Sequence, residues 1–204
     1  MLCRIRMKRS GLMIFLSHLE LMKTLERSFK RSGIPMLYSQ GFNPRPLMNF
    51  AFPLSVGIGA EELLLELEMK DETSLDLLHE VKLVEGLEIV DVKEVEKGPS
   101  LMSLVAQADY RIQGDLETLE KIKGDEALLF LKRRKKGPPR EVNARDFLLD
   151  YRFEDALYVR VLAGSAANLR PQDLLLALLG DADQVHDYSI TLLKVYDEEG
   201  NPLW

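Results

Sequence analysis

The sequence predicts an α+β fold of two ferredoxin-like units in tandem, βαββαβ twice, with antiparallel sheets. Three observations carry this. Apolar residues alternate over short runs such as Leu63 to Met69, the period of a half-buried strand. Such runs and two helical patterns follow in the order strand, helix, strand, strand, helix, strand, the split βαβ order. The order starts again after Lys97-Gly98-Pro99-Ser100, which has the composition of a linker. The units are expected at residues 1–97 and 101–204. Identity between the halves is negligible, so the duplication rests on element order.

Leu2 to Met7 alternates partly and reads as a half-buried first strand. Lys8-Arg9-Ser10-Gly11 reads as a turn, with Leu12 to Leu16 running on toward a helix. Ser17-His18-Leu19-Glu20 is a capping box, in which Ser17 and Glu20 each satisfy the other's backbone N–H. At 100° per residue, His18, Leu21, Met22, Leu25 and Phe29 share one face, and Lys23, Arg27, Lys30 and Arg31 the other. Gly33 ends this helix and Pro35 prevents its resumption. Leu47 to Ile58 holds a strand in which Pro53 either limits it to an edge or marks a bulge, with Gly57 and Gly59 in a turn. Leu63 to Met69 sets Leu against Glu, a strand with one wet face. Ser74 to Val84 reads as a helix ended by Gly86, and Leu87 to Val95 as the fourth strand.

The second half is predicted to hold strands at Leu104 to Gln113, Ala127 to Lys132, Ala156 to Ala163 and His186 to Val195. A short helix runs from Leu116 to Ile122. Another follows Pro171, placed as an N1 proline, and stops at Gly180. Glu141 to Glu154 fits a strand plus a helical turn.

With 204 residues, 46% apolar and 29% charged, the chain can bury a core without disulfides or metal staples. Its single cysteine, Cys3, excludes an internal disulfide and fits a reducing cytoplasm, as a small apolar residue of the first strand. No run approaches a membrane span, and no signal-peptide pattern opens the chain. Net charge is −6, unevenly spread: residues 1–50 hold nine Lys and Arg against two acids. Overall acidity argues against a general nucleic-acid binder, while the local excess fits one anionic ligand site or an asymmetric solvated surface.

The most distinctive stretch is Ser39-Gln40-Gly41-Phe42-Asn43-Pro44-Arg45-Pro46. Pro44 and Pro46 restrict Asn43 and Arg45 to extended conformations, so the Arg45 guanidinium loses less entropy on meeting phosphate or carboxylate. Tyr38 and Phe42 can stack a base, and Gln40 and Asn43 offer amides. The structural alternative is a loop whose Asn, Pro and Gly serve turn geometry alone. His18 reads as a general base or ligand contact, since a helix N-terminus disfavours imidazolium, or as a core histidine bonded to backbone. His79 and His186 read as structural or exposed. The basic turn at 132–140 is a solvated hairpin tip or a second anion contact. Metal-ligand spacing, phosphate-cradling glycine motifs and nucleophile elbows are missing from the sequence, so no cofactor is expected.

Phe15 to Leu21, Glu26-Arg27, Lys30 to Pro35 and Tyr38 to Pro46 together resemble the radical SAM-linked domain family of unknown function. The likeness covers about the first 60 residues, with Asn168-Leu169-Arg170-Pro171 also familiar. Two stretches depart from the pattern: Glu20 stands where Asp is usual, and Leu47-Met48-Asn49 where a basic run is usual. The resemblance implies work alongside a radical SAM protein, on RNA or a translation component. One cysteine cannot hold a four-iron cluster, so the chain is not itself the radical SAM core. The expected function is a non-catalytic RNA-binding or substrate-recognition module using His18, Tyr38, Ser39, Gln40, Phe42, Asn43, Arg45 and the cationic face Lys23, Arg27, Lys30 and Arg31. The tandem order with His18 on the first helix also looks like the CRISPR repeat-processing endoribonucleases, although their C-terminal glycine-rich loop is missing. In that alternative His18 is the general base of a metal-independent nuclease. A protein-interaction adaptor is the third reading.

Overall fold

The computed structural model describes residues 1–71, 73–132, 137–165 and 167–204. The fold is mixed α and β, with antiparallel strands and few helices. The chain divides into two compact units, Met1–Val105 with Pro202–Trp204, and Ala106–Asn201. Among the described residues no helix is long and apolar enough to cross a membrane.

The first unit runs β1 (Leu2–Arg9), α1 (His18–Arg31), β2 (Met48–Phe50), β3 (Ile58–Glu68), α2 (Asp76–His79), β4 (Leu87–Val95) and α3 (Leu101–Leu104), with a 3-10 turn at Gly11–Phe15. Its strands lie in the order β4-β1-β3, with β2 on the far side of β3, and every pair is antiparallel. Cys3, Ile5 and Met7 stand opposite Leu67, Leu65 and Leu63, so the inward residues of the two central strands meet on one face. Leu21, Leu25 and Phe29 of α1 join the same core, each 2% exposed or less. Burying an apolar side chain of this size stabilises by about 1.5–3 kcal/mol.

Several elements differ from the sequence expectation. β1 continues through Arg9, and the turn begins at Ser10. β3 starts at Ile58, so Gly59 lies within the strand. The Glu face of the Leu63–Met69 run is only partly wet: Glu68 is half-buried and Glu66 is buried. Glu62 and Glu66 are 5% and 7% exposed, because Arg6 and Arg4 of the neighbouring strand reach across to them. Arg4 donates Nε and Nη2 to Glu66 Oε1 at 3.1 and 2.7 Å, and Nη1 to the Leu203 carbonyl at 2.8 Å. The helix expected over 74–84 is four residues long. Only Leu78 of it is fully buried, too small an apolar face to hold a longer helix by packing.

The second unit runs β5 (Gln107–Gln113), α4 (Leu116–Leu119), β6 (Leu129–Lys132), β7 (Arg140–Asn143), β8 (Leu148–Phe153), β9 (Leu157–Leu162), α5 (Pro171–Leu179) and β10 (Ser189–Tyr196). Its sheet has the order β10-β5-β9-β8, again antiparallel, and β6 and β7 form a separate hairpin. Residues 101–104 are helical, where a strand was expected from Leu104. Pro171 opens α5 and Gly180, at φ 76°, closes it, as the sequence indicates. His186 lies in a 3-10 turn ahead of β10.

Candidate nucleic-acid interface

The backbone of the 39–46 loop is closed by two bonds across its neck. Ser39 N donates to the Arg45 carbonyl at 2.8 Å, and Arg45 N donates to Ser39 Oγ at 3.0 Å. Behind the neck, Leu47 N donates to Leu37 O, Leu37 N to Glu68 O and Glu68 N to Leu47 O, at 2.8–2.9 Å. Both stems are thus fastened to the end of β3. The loop is built as an extension of the sheet, and its tip is presented to solvent. Gln40, Asn43 and Arg45 are exposed, and Phe42 is 105% exposed, with no core to account for it. A large aromatic fully in water at the tip of a closed loop suits stacking against a ligand.

α1 is stopped beside this loop by two bonds. Gly33 N donates to Lys30 O and Ile34 N to Phe29 O, with Gly33 at φ 74°. At this end Lys30 Nζ lies 5.3 Å from the Tyr38 ring and donates to Glu26 Oε1 at 2.7 Å. The hydrogen bond to Glu26 pushes the Lys30 ammonium pKa up. Arg31 donates Nη2 to the Lys82 carbonyl at 3.2 Å. Lys23, Arg27 and Arg45 are exposed and have no ion-pair partner within 4.0 Å among the described residues.

His18 is not part of this grouping. It is the first residue of α1, and Lys30 meets the Tyr38 ring near the other end. Twelve residues separate His18 from Lys30 along the helix, which at 1.5 Å per residue is ~18 Å. His18 packs edge-on against Phe50, ring centroids 5.3 Å apart, in a half-buried position. Burial and the charge of Arg9 lower its pKa. The imidazole is therefore neutral at pH 7 and able to accept a proton. The capping box in front of it forms as the sequence predicts, with Ser17 N donating to Glu20 Oε2 at 2.8 Å and Glu20 N to Ser17 Oγ at 3.3 Å.

Arg9 is the residue that sequence reasoning missed. It is 1% exposed, and its guanidinium holds the 3-10 turn. Nε donates to Met13 O at 2.9 Å, and Nη2 to Ile14 O and Leu16 O at 2.7 Å each. The available signal was the alternation of β1, which puts residue 9 on the inward face with Cys3, Ile5 and Met7. Leu12 and Phe15 of the 3-10 turn and Leu19 in the first turn of α1 are 78%, 62% and 64% exposed.

His79 and His186 are exposed. In the basic turn, Lys132 turns back to the Asn168 carbonyl at 2.8 Å and lies 5.2 Å from the Phe147 ring. Arg133 to Lys136 lie outside the described residues. Among the described residues no group of three or more His, Cys, Asp or Glu side chains is arranged to hold a metal ion.

Residues 3–171 match a family described as an uncharacterized protein conserved in bacteria, DUF2344. No curated protein matches the chain.

Proposed function

The chain belongs to the family of uncharacterized bacterial proteins DUF2344, and from that premise we propose that it is a non-catalytic RNA-binding or substrate-recognition module. The observation that carries the proposal is the closed 39–46 loop. It holds an exposed Phe42 and Arg45, and Tyr38 at its stem lies 5.3 Å from Lys30 of α1. Aromatic rings stack on bases of any sequence, and unneutralised Lys and Arg suit phosphates. The proposed partner is a radical SAM protein, on the strength of the resemblance in residues 15–46, and the proposed compartment is the cytoplasm. Two ferredoxin-like units are part of this reading. The strand orders β4-β1-β3-β2 and β10-β5-β9-β8 support them, since both place the last strand beside the first.

Binding of a structured RNA, measured by fluorescence anisotropy across a salt series, tests it. Affinity should fall with log-log slope of about −0.7 to −0.9 per phosphate contacted. Phe42→Ala should weaken binding roughly tenfold, since base stacking contributes about 1–3 kcal/mol. Arg45→Ala should flatten the salt slope by about one contact. Absence of salt-dependent binding would rule the proposal out.

The neutral His18 favours a second reading, a metal-independent ribonuclease with His18 as general base. Cleavage of labelled RNA in EDTA that His18→Ala abolishes would support it. Intact RNA would remove it. The exposed Leu12, Phe15 and Leu19 favour the third reading, an adaptor. Co-purification with a radical SAM protein, lost in Phe15→Asp, is its expected sign.

A further inference from the structure

We propose that β8 is a self-association edge, at which two copies of the chain pair their β8 strands antiparallel about a twofold axis at Tyr151. The proposal concerns the second unit alone and is independent of the RNA-binding reading. β8 pairs with β9 on one side and, among the described residues, ends the sheet β10-β5-β9-β8 on the other. Residues 149 to 152 are all exposed. Glu154 N donates to Ala156 O at 3.0 Å at the turn into β9. From there ladder bonds fall on alternate pairs, Arg152↔Tyr158 and Asp150↔Arg160, so Tyr151 and Phe153 turn their N–H and C=O groups outward. Accordingly, Tyr151 N donates at 2.9 Å to Asp150 Oδ1, a side chain of its own strand. A partner carbonyl can take that place, and an edge of this kind is a template for another strand.

The residues along the edge are complementary to a second copy of themselves. With Tyr151 opposite Tyr151, antiparallel pairing sets Asp150 opposite Arg152 and Arg152 opposite Asp150, with Leu149 opposite Phe153 at each end. The outward groups of Tyr151 then bond to those of its counterpart. Each Asp150–Arg152 pair becomes a non-hydrogen-bonded one, where side chains stand closest. Moving the axis to Asp150 or to Arg152 would set that residue against its own copy, like charge on like. Within one chain Asp150 has no ion-pair partner within 4.0 Å among the described residues. Arg152 meets Glu154 at 2.9 Å in a pair more than half exposed on both sides. On the opposite face, Tyr151 and Phe153 stand beside the buried Val159 and Leu157, so a second copy would carry that apolar layer past the edge.

Sedimentation equilibrium of the full chain tests this up to about 1 mM, since so short an edge is small for a protein interface and its dimer is weak. A monomer–dimer equilibrium is expected. Asp150→Arg and Arg152→Asp should each weaken it about two- to thirtyfold, the range for two cross-strand charge pairs. Mixed in equal amounts, the two variants should dimerise with each other, because an all-basic edge then meets an all-acidic one. A variant merely damaged in folding would not be rescued in this way. Tyr151→Pro removes an outward N–H, which an edge strand tolerates, and should abolish the dimer; it decides the matter if either charge reversal fails to fold. A chain that stays monomeric would overturn the proposal and leave the edge to a strand of another protein. A dimer unchanged by the charge reversals or by Tyr151→Pro, or reversals that do not rescue each other, would overturn it too.

Discussion

Glu66 illustrates how much one side chain depends on its cross-strand neighbour. At 7% exposure it is an anion inside the sheet, tolerated because Arg4 meets it with two N–H groups. Removing one member of such a pair strands the other, so Glu66→Ala should cost about 3–5 kcal/mol in urea unfolding. The pair does not signal itself in sequence: Leu-Glu alternation has the period of a strand whether its Glu face is wet or ion-paired. His18 offers a prediction with a definite sign. Its folded pKa is lowered by burial and by Arg9, so the unfolded chain takes up a proton first as pH falls. Stability should decline as pH drops below about 6.5, the ordinary histidine value. It should level off below the folded pKa, and His18→Gln should remove that part of the pH dependence. Arg9 itself was hidden by the custom of reading Lys-Arg-Ser-Gly as a turn, although the strand period already pointed it inward.

At the scale of elements, α1 was the most legible part of the chain because its signals are local. The Ser17–Glu20 box, the apolar stripe and Gly33 each act within a few residues, and each forms as expected. The shortness of α2 was not legible, since it depends on how little of residues 74–84 finds a core. Two glycines separate local from tertiary constraint. A Cβ on Gly33 would meet no atom within 4 Å, so Gly33→Ala should cost about 1–2 kcal/mol, the left-handed backbone alone. On Gly86, at φ +89°, it would come within 2.5 Å of the Ser10 carbonyl and 3.1 Å of Met13 Cγ. The amide of Ser10 also donates to Gly86 O at 2.8 Å. Gly86→Ala should therefore destabilise more than Gly33→Ala in the same denaturation assay, and should disturb the turn that Arg9 braces. The 39–46 loop was identifiable from composition. Its closure by Ser39 was not, because that needs the register of both stems against β3.

For the whole molecule, the division into two units is not a simple cut of the chain. Pro202–Trp204 belong to the first unit although the preceding 96 residues form the second. Leu203 is 8% exposed, and its carbonyl takes a hydrogen bond from Arg4. The Trp204 ring lies 5.1 Å from the Arg6 guanidinium and 4.4 Å from Lys93 Nζ. Each such contact contributes about 0.5–1 kcal/mol at a partly exposed site, so Trp204→Ala should lower first-unit stability by about 1–2 kcal/mol. Nothing near residue 204 in the sequence points to Arg4, Arg6 or Lys93, so the sequence alone assigns the tail to the second half. Its placement also distributes the chromophores. Trp204 is the single tryptophan, and it belongs to the first unit. Tyr110, Tyr151, Tyr158, Tyr188 and Tyr196, five of the six tyrosines, belong to the second. Indole emission therefore reports on one unit and phenol absorbance chiefly on the other, so an unlabelled sample carries its own two-colour test of whether the halves melt together.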